Sequence, residues 1–200
     1  MKKLTKTLAV LVLTATLLTT GAAATTHTVV PGDTFWKIAV KYQMGCSEII
    51  AANPQIKNPD LIYPGEVLNI PEADGAVRAY ETEVIRLVNE IRAQYGLNGL
   101  TENWELSRVA RYKSQDMHDR RYFSHTSPTY GSPYDMMTAF GLSWRSAGEN
   151  IAYGYRTPAA VVNAWMNSSG HRANILSAKY TQIGVGYVQS GNYCTQMFIG

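Results

Sequence analysis

Two histidines and one glutamate, each set among small and polar neighbours, carry the chemistry this chain could perform. His125 lies in Phe123-Ser124-His125-Thr126, Glu149 in Gly148-Glu149-Asn150-Ile151, and His171 in Ser169-Gly170-His171-Arg172-Ala173-Asn174-Ile175-Leu176. An imidazole near neutral pKa can take a proton from water, and a carboxylate can orient or charge-stabilise that imidazole. Two imidazoles with one carboxylate can also hold a divalent ion such as zinc with one position left open. The same side chains can do less. Loop histidines donate to backbone carbonyls, Glu149 can accept loop N–H groups, and Asn174 can tether its own turn. No HExxH pair is present, so the spacing requires no metal, and no GxSxG elbow surrounds Ser124, Ser168 or Ser169. These residues locate a polar cleft without deciding among catalysis, metal binding, ligand binding and a structural network.

Residues 1–24 read as a secretory leader rather than as part of any fold. Lys2, Lys3 and Lys6 precede the apolar run Leu8 to Leu18, and Ala22, Ala23 and Ala24 place cleavage after Ala24. The run is too short and too rich in threonine for a comfortable membrane span, and no other stretch could cross one. The expected location is therefore extracellular or at a cell wall. Three of the 18 basic residues fall in the leader, which leaves 15 against 15 acidic residues in the mature protein. A neutral chain without a Lys/Arg run has little to offer nucleic acid. About 176 residues remain, enough for one small and one medium domain. Cys46 and Cys194 are too few for a disulfide framework, and both read as small buried hydrophobes.

The first unit, residues 27–71, has the order βααβ. His27 to Val30 is strand-like, and Pro31-Gly32-Asp33-Thr34 turns the chain, with Asp33 or Thr34 placed to cap a helix. Phe35, Ile38, Ala39 and Tyr42 recur at helical spacing up to Gly45. A second helix starts near Ser47, with Ile49, Ile50 and Ala52 inward, and stops before Pro54. Val67 to Ile70 closes the unit. The motifs Val30-Pro31-Gly32-Asp33-Thr34, Ile49 to Ile56 and Asn58-Pro59-Asp60-Leu61-Ile62-Tyr63-Pro64-Gly65 closely resemble a LysM module. The resemblance implies binding of N-acetylglucosamine polymers such as peptidoglycan. It implies a shallow groove with Gly32, Asp33 and Thr34 on one side and Pro59, Asp60, Leu61 and Ile62 on the other.

Residues 72–76 read as a polar linker, and residues 77–200 as the second domain. Val84, Leu87, Val88, Ile91 and Tyr95 form an apolar helical stripe ended by Gly96. A second helix runs from about Asn103 to His118, with Leu106, Val109, Ala110 and Met117 inward. Ser132-Pro133 and Thr157-Pro158 each pair an N-cap with proline at the first helical position. Ile151 to Tyr153, Gln182 to Val188 and Tyr193 to Ile199 are strand candidates, the last two joined by a turn at Gly191-Asn192. Helices flanking an antiparallel sheet make the expected class α+β. His27 reads as a strand residue and His118 as a solvent-facing residue near a helix end.

The His125, Glu149 and His171 motifs, with Tyr180 and Ile183-Gly184-Val185-Gly186-Tyr187, resemble the CAP superfamily (the SCP/TAPS fold) in its bacterial secreted branch. The resemblance implies an α-β-α sandwich whose cleft is lined by His125, His171 and Glu149, with a second acid three residues after Trp165. That position holds Ser168 here, so any metal held by His125 and His171 lacks one of the family's carboxylates. The resulting expectation is a secreted wall-associated protein, held on peptidoglycan by its first unit, whose second domain binds a ligand or partner without turnover. The partner is open and no cofactor is certain, zinc being the candidate. The alternative is a wall-targeted hydrolase acting through His125, Glu149 and His171. Lipid or sterol binding, known for some CAP-fold proteins, finds no distinct apolar stripe.

Overall fold

The computed structural model describes residues 25–72 and 74–200; the expected leader, residues 1–24, lies outside them, as does Ala73. The N-terminal unit contains β1 (Thr25–Thr28), α1 (Phe35–Tyr42), α2 (Cys46–Ala51) and β2 (Val67–Ile70). β1 and β2 pair antiparallel, with Thr25 opposite Ile70 and Thr28 opposite Val67. The strand therefore begins before the apolar pair Val29-Val30. Val29 still holds the hairpin through its N–H to Glu66 O (2.8 Å) and its carbonyl to Gly65 N–H (2.8 Å).

Thr34, not Asp33, caps α1, its hydroxyl accepting from Lys37 N–H. The Asp33 carboxylate instead joins Val30 N–H and the ring of His27. α1 ends on Gln43, which takes the left-handed conformation (φ 53°), and Gly45 becomes the N-cap of α2. A Cβ on Gly45 would lie 2.0 Å from Oε2 of Glu48 and 2.2 Å from Nε of Arg108 in the C-terminal unit, so these two side chains would have to shift. Val29, Phe35, Ile38, Ala39, Ile49, Leu68 and Ile70 form the core, with Ile50 only half-buried. Buried Asn53 binds the unit together, donating to Ile49 O and Asn69 O and accepting from Asn69 N–H.

The C-terminal unit contains α3 (Gly75–Gln94), β3 (Thr101–Glu102), α4 (Trp104–Asp119), α5 (Pro133–Ala139), β4 (Ala147–Ala152), α6 (Pro158–Met166), α7 (Ser169–Ile175), β5 (Gln182–Val188) and β6 (Tyr193–Ile199). Asp74 caps α3 by accepting from Ala76 N–H, so helix begins inside the stretch read as a linker. The sheet order is β3-β5-β6-β4. β6 runs antiparallel to both β5 and β4, while β3 lies parallel to β5, so the sheet is mixed rather than purely antiparallel.

Helices cover both faces of this sheet, an α-β-α sandwich. On one face, Val84, Val88, Val161, Trp165 and Ile175 from α3, α6 and α7 meet Ile183, Val185, Cys194 and Phe198. Each such fully buried aliphatic side chain contributes roughly 1.5–3 kcal/mol. Tyr95, expected on this stripe, stands exposed at the helix end and accepts from Arg172 Nη2. On the other face, Leu106, Val109, Ala110, Met136 and Met137 from α4 and α5 meet Met197 and Ile199. The approach of α4 is set by two strand glycines. A Cβ on Gly184 would lie 2.4 Å from Leu106 C, and one on Gly186 2.0 Å from Arg111 N.

Arg108 of α4 grips the N-terminal unit. Its Nε and Nη2 donate to the two Glu48 oxygens (2.7 and 3.0 Å), and Tyr112 OH donates to the same carboxylate (3.0 Å). A forked guanidinium–carboxylate pair fixes orientation as well as distance. Cys46 and Cys194 are free thiols; Cys194 is fully buried, as expected, and Cys46 only half-buried. No helix among the described residues is long and apolar enough to cross a membrane.

Candidate functional site

Glu149 sits on the edge strand β4 and points into the protein, its side chain only 2% exposed. Its Oε1 lies 2.7 Å from Nδ1 of His125. Its Oε2 is buried with no hydrogen-bond partner. Burial pushes this carboxyl above its ordinary pKa, against the opposing pull of the His125 hydrogen bond and the Lys113 charge. The His125 side chain is 54% exposed, so the pair has one end in the protein and the other in solvent. His171, the third residue of α7, is pushed below the ordinary histidine pKa by burial and by the charge of His125. The structure thus joins His125 to Glu149 directly and brings His171 within electrostatic reach.

Hydrogen bonds sew α7 to β4. Asn174 donates to Glu149 O (3.1 Å) and Asn150 Oδ1 (2.9 Å), rather than tethering its own turn. Asn150 donates to His171 O (3.1 Å) and to Gln196 Oε1 (2.9 Å). The close fit needs Gly148, where a Cβ would lie 2.4 Å from Tyr180 OH. The peptide Ser169 to Ile175 that carries His171 is itself helical, which periodicity does not reveal in so short and polar a stretch.

Sequence reasoning missed the groups beneath His125. Lys113 is 1% exposed, and its ammonium donates to His125 O (2.8 Å) and Tyr122 OH (3.2 Å). Its desolvation lowers its pKa, opposed by Glu149 and Asp116. Buried Asp116 accepts from Tyr122 OH (2.6 Å), Ser127 Oγ (2.7 Å), Thr129 Oγ1 (2.6 Å) and Arg120 Nε (3.0 Å), closing the loop on which His125 rides. The available signal was two charged residues, Lys113 and Asp116, on the helix face that also carries Ala110 and Met117.

No group of three His, Cys, Asp or Glu side chains among the described residues converges as an ion requires. Oε1 of Glu149 is already engaged by His125, and the position of the missing acid is Ser168, the N-cap of α7. Among the serines, Ser124 Oγ accepts from Thr126 N–H in its own loop. His118 does stand between Asp119 (2.7 Å) and Ser190 (2.8 Å), but Asp119 and Ser190 are open to solvent. This trio pins the β5–β6 turn to the end of α4. His27 is buried in its strand and bonds Asp33.

Beside His171 lies a cleft of about 510 Å³ lined by Phe123, Ile151, Ala152, Tyr153, Tyr155, Ala164, Trp165, Ser168 and His171. A second cleft, of about 400 Å³, lies in the N-terminal unit. Asp33, Thr34, Phe35 and Trp36 form one wall and Pro59, Asp60, Leu61 and Ile62 the other, with Cys46 and Ile50 between. Six of the seven groove residues expected from the sequence line it; Gly32 adjoins Asp33 with φ 88°. Trp36, 65% exposed, was not anticipated.

Comparison with known proteins agrees with this two-part architecture. The family described as cysteine-rich secretory protein (CAP) matches residues 85–199, and the LysM domain matches residues 27–71. The uncharacterized protein YkwD of Bacillus subtilis is 58% identical, over 64% of this chain and 50% of its own length. The uncharacterized membrane protein YlbC of the same organism is 37% identical, over 70% of this chain and 41% of its own length. The chain thus spans half or less of the length of these relatives. The crystal structure of an extracellular protein containing a SCP domain from Bacillus anthracis is similar at 32% identity with a TM-score of 0.60. That match covers 68% of this chain and 47% of that one.

Proposed function

Because the chain belongs to the cysteine-rich secretory protein (CAP) family and carries a LysM domain ahead of that fold, we propose that it is a secreted, wall-associated binding protein. In this reading its LysM groove holds N-acetylglucosamine polymers of peptidoglycan, and its His125–Glu149–His171 region serves a ligand. The observation that carries the reading is the groove between Asp33-Thr34 and Pro59 to Ile62, with Trp36 and Leu61 standing exposed on its walls. Backbone and carboxylate groups there can hydrogen-bond an N-acetyl group while Pro59, Leu61 and Ile62 cover its methyl. Once one domain is on the polymer, the other searches a small volume of wall at high effective concentration.

Co-sedimentation of the leaderless full chain with purified peptidoglycan tests this. The wild type should pellet, and the double variant Trp36→Ala, Leu61→Ser should need roughly tenfold or more peptidoglycan to do so, as expected for losing apolar cover at a site. A wild type that stays in the supernatant, or a double variant that pellets equally, rejects the groove.

One observation favours a second reading, a wall-directed hydrolase. A buried carboxylate on the Nδ1 side of a half-exposed imidazole is the arrangement of an oriented general base. Turnover of peptidoglycan by the wild type, lost in His125→Ala and in His171→Ala, would support it; equal rates in all three would reject these histidines as catalytic.

A further inference from the structure

The cleft beside His171 carries a chemical signature that the His125–Glu149 pair does not use. None of its nine lining residues is Lys, Arg, Asp or Glu. Three of them present large aromatic surface to solvent: Phe123 (47% exposed), Tyr153 (57%) and Tyr155 (38%). Ser168 and His171 supply polar atoms, and burial favours the neutral form of His171. Trp165 lies beneath, 1% exposed and fixed by its indole N–H to Ile151 O (3.3 Å).

The aromatic wall is braced before any ligand arrives. Phe123 sets its edge against Tyr153 (centroids 4.8 Å apart), and Tyr153 stacks on Tyr193 at 6.0 Å. Gly154, in the left-handed region at φ 83°, bonds through its N–H to the carbonyls of Gly191 and Asn192. Tyr80 OH donates to the carbonyl of Tyr155 (3.1 Å). The Tyr153–Tyr155 segment is thus held from both sides, which lowers the ordering cost of binding.

We infer that this cleft is a second carbohydrate subsite, taking a neutral N-acetylated sugar chain with pyranose faces against Phe123, Tyr153 and Tyr155 and hydroxyl or amide groups toward Ser168 and His171. The apolar C–H face of a sugar ring suits an exposed aromatic face, and the ring's hydroxyls suit Tyr, Ser and neutral imidazole. The lining offers no counter-charge to the carboxylates and ammonium of a wall peptide. An acyl chain would leave the Ser168 and His171 polar atoms desolvated without partners. The inference deepens the ligand role proposed for the second domain, and it rests on that reading.

The test uses the leaderless full chain, ring-labelled at tyrosine for NMR, titrated separately with a water-soluble N-acetylglucosamine hexamer, a wall stem peptide and dodecanoate. The expected result is that the hexamer shifts the Tyr153 and Tyr155 signals. Tyr153→Ala, read on the Tyr155 signal, and Tyr155→Ala, read on the Tyr153 signal, should each weaken that event about tenfold and leave the LysM groove unaltered. These exposed positions are replaceable without opening the core, and circular dichroism checks the fold. The Trp36→Ala, Leu61→Ser variant should lose the groove event and keep the tyrosine response. Tyrosine signals that ignore the hexamer, or that move only with peptide or dodecanoate, overturn the inference while the groove reading stands. A tyrosine response in a chain whose groove variant binds peptidoglycan normally overturns the groove reading and leaves the inference intact.

Discussion

Replacing Asp116 by alanine should loosen the platform of the candidate site without touching His125, Glu149 or His171. Its carboxylate, 9% exposed, is the common acceptor for Tyr122, Ser127, Thr129 and Arg120. Those donors do not lose equally. Ser127 is 4% exposed, and its orphaned hydroxyl carries a cost of about 2 kcal/mol. Half-buried Tyr122 adds about 1 kcal/mol, and Thr129 and Arg120, open to water, add little. The total is about 3–4 kcal/mol, which for a chain of this size lowers the melting temperature by about 10 °C. The Ser127–Gly131 bridge (2.7 and 3.0 Å) and its neighbours should then exchange amide hydrogens faster than the sheet. Burial opposes ionisation of Asp116, yet the bonds from Thr129, Tyr122 and Ser127 and the charge of Arg120 win, so its pKa lies below the ordinary 3.8. A depressed folded pKa means the contribution is complete above pH 3.8 and lost as pH falls through the folded value. The stability gap between wild type and Asp116→Asn should therefore narrow in acid. Calorimetry with hydrogen exchange reads all three effects. A variant melting within about 2 °C of wild type, with residues 122–131 exchanging unchanged, would refute the assignment of Asp116 as the hub.

Two further substitutions probe other layers of the same site. Gly186→Ala puts a methyl 2.0 Å from Arg111 N and 2.1 Å from Ala110 C, both backbone atoms, so α4 must retreat from the sheet with Lys113 and Asp116 aboard. Over-packing of this kind costs about 3 kcal/mol or more, and a wild-type melting temperature would show that the helix does not sit so close. Glu149→Gln keeps an oxygen for His125 but removes the buried charge. The wild-type carboxyl is raised by burial, so its unfolded form ionises near pH 4.5 while the folded form still holds its proton. Wild-type stability should therefore fall relative to the variant as pH rises from 4.5 through the folded pKa, then stay level. Urea denaturation across pH 4 to 8 that gave the opposite slope would refute burial as the dominant influence.

Local signals were legible wherever a few adjacent residues dictate the backbone. Ser132-Pro133 and Thr157-Pro158 start α5 and α6 as read, with Ser132 and Asp135 completing a capping box. β5 and β6 begin and end where their β-branched and aromatic runs do. Gly96, at φ 69°, follows the end of α3. Resemblance in short motifs brought His125, Glu149 and His171 into one region and outlined the LysM groove. Elements failed to show where the deciding partner lies far along the chain. Gly45 reads as a helix stop until Arg108 is seen against it, and Tyr95 fits an apolar stripe until the helix proves to end there.

The amino-acid sequence alone determined two α+β units, the order of their elements, and the neighbourhoods of two histidines and a glutamate, because caps, periodicity and turn residues act over a few positions. Only the tertiary structure decided what those residues face. Glu149 meets His125 across 24 positions, Arg108 meets Glu48 across 60, and Lys113 becomes a buried cation because the loop of His125 folds over it. Burial and charge pairing arise between distant segments, and they place the Glu149 carboxylate against the His125 imidazole and leave the cleft beside His171 aromatic and free of Lys, Arg, Asp and Glu.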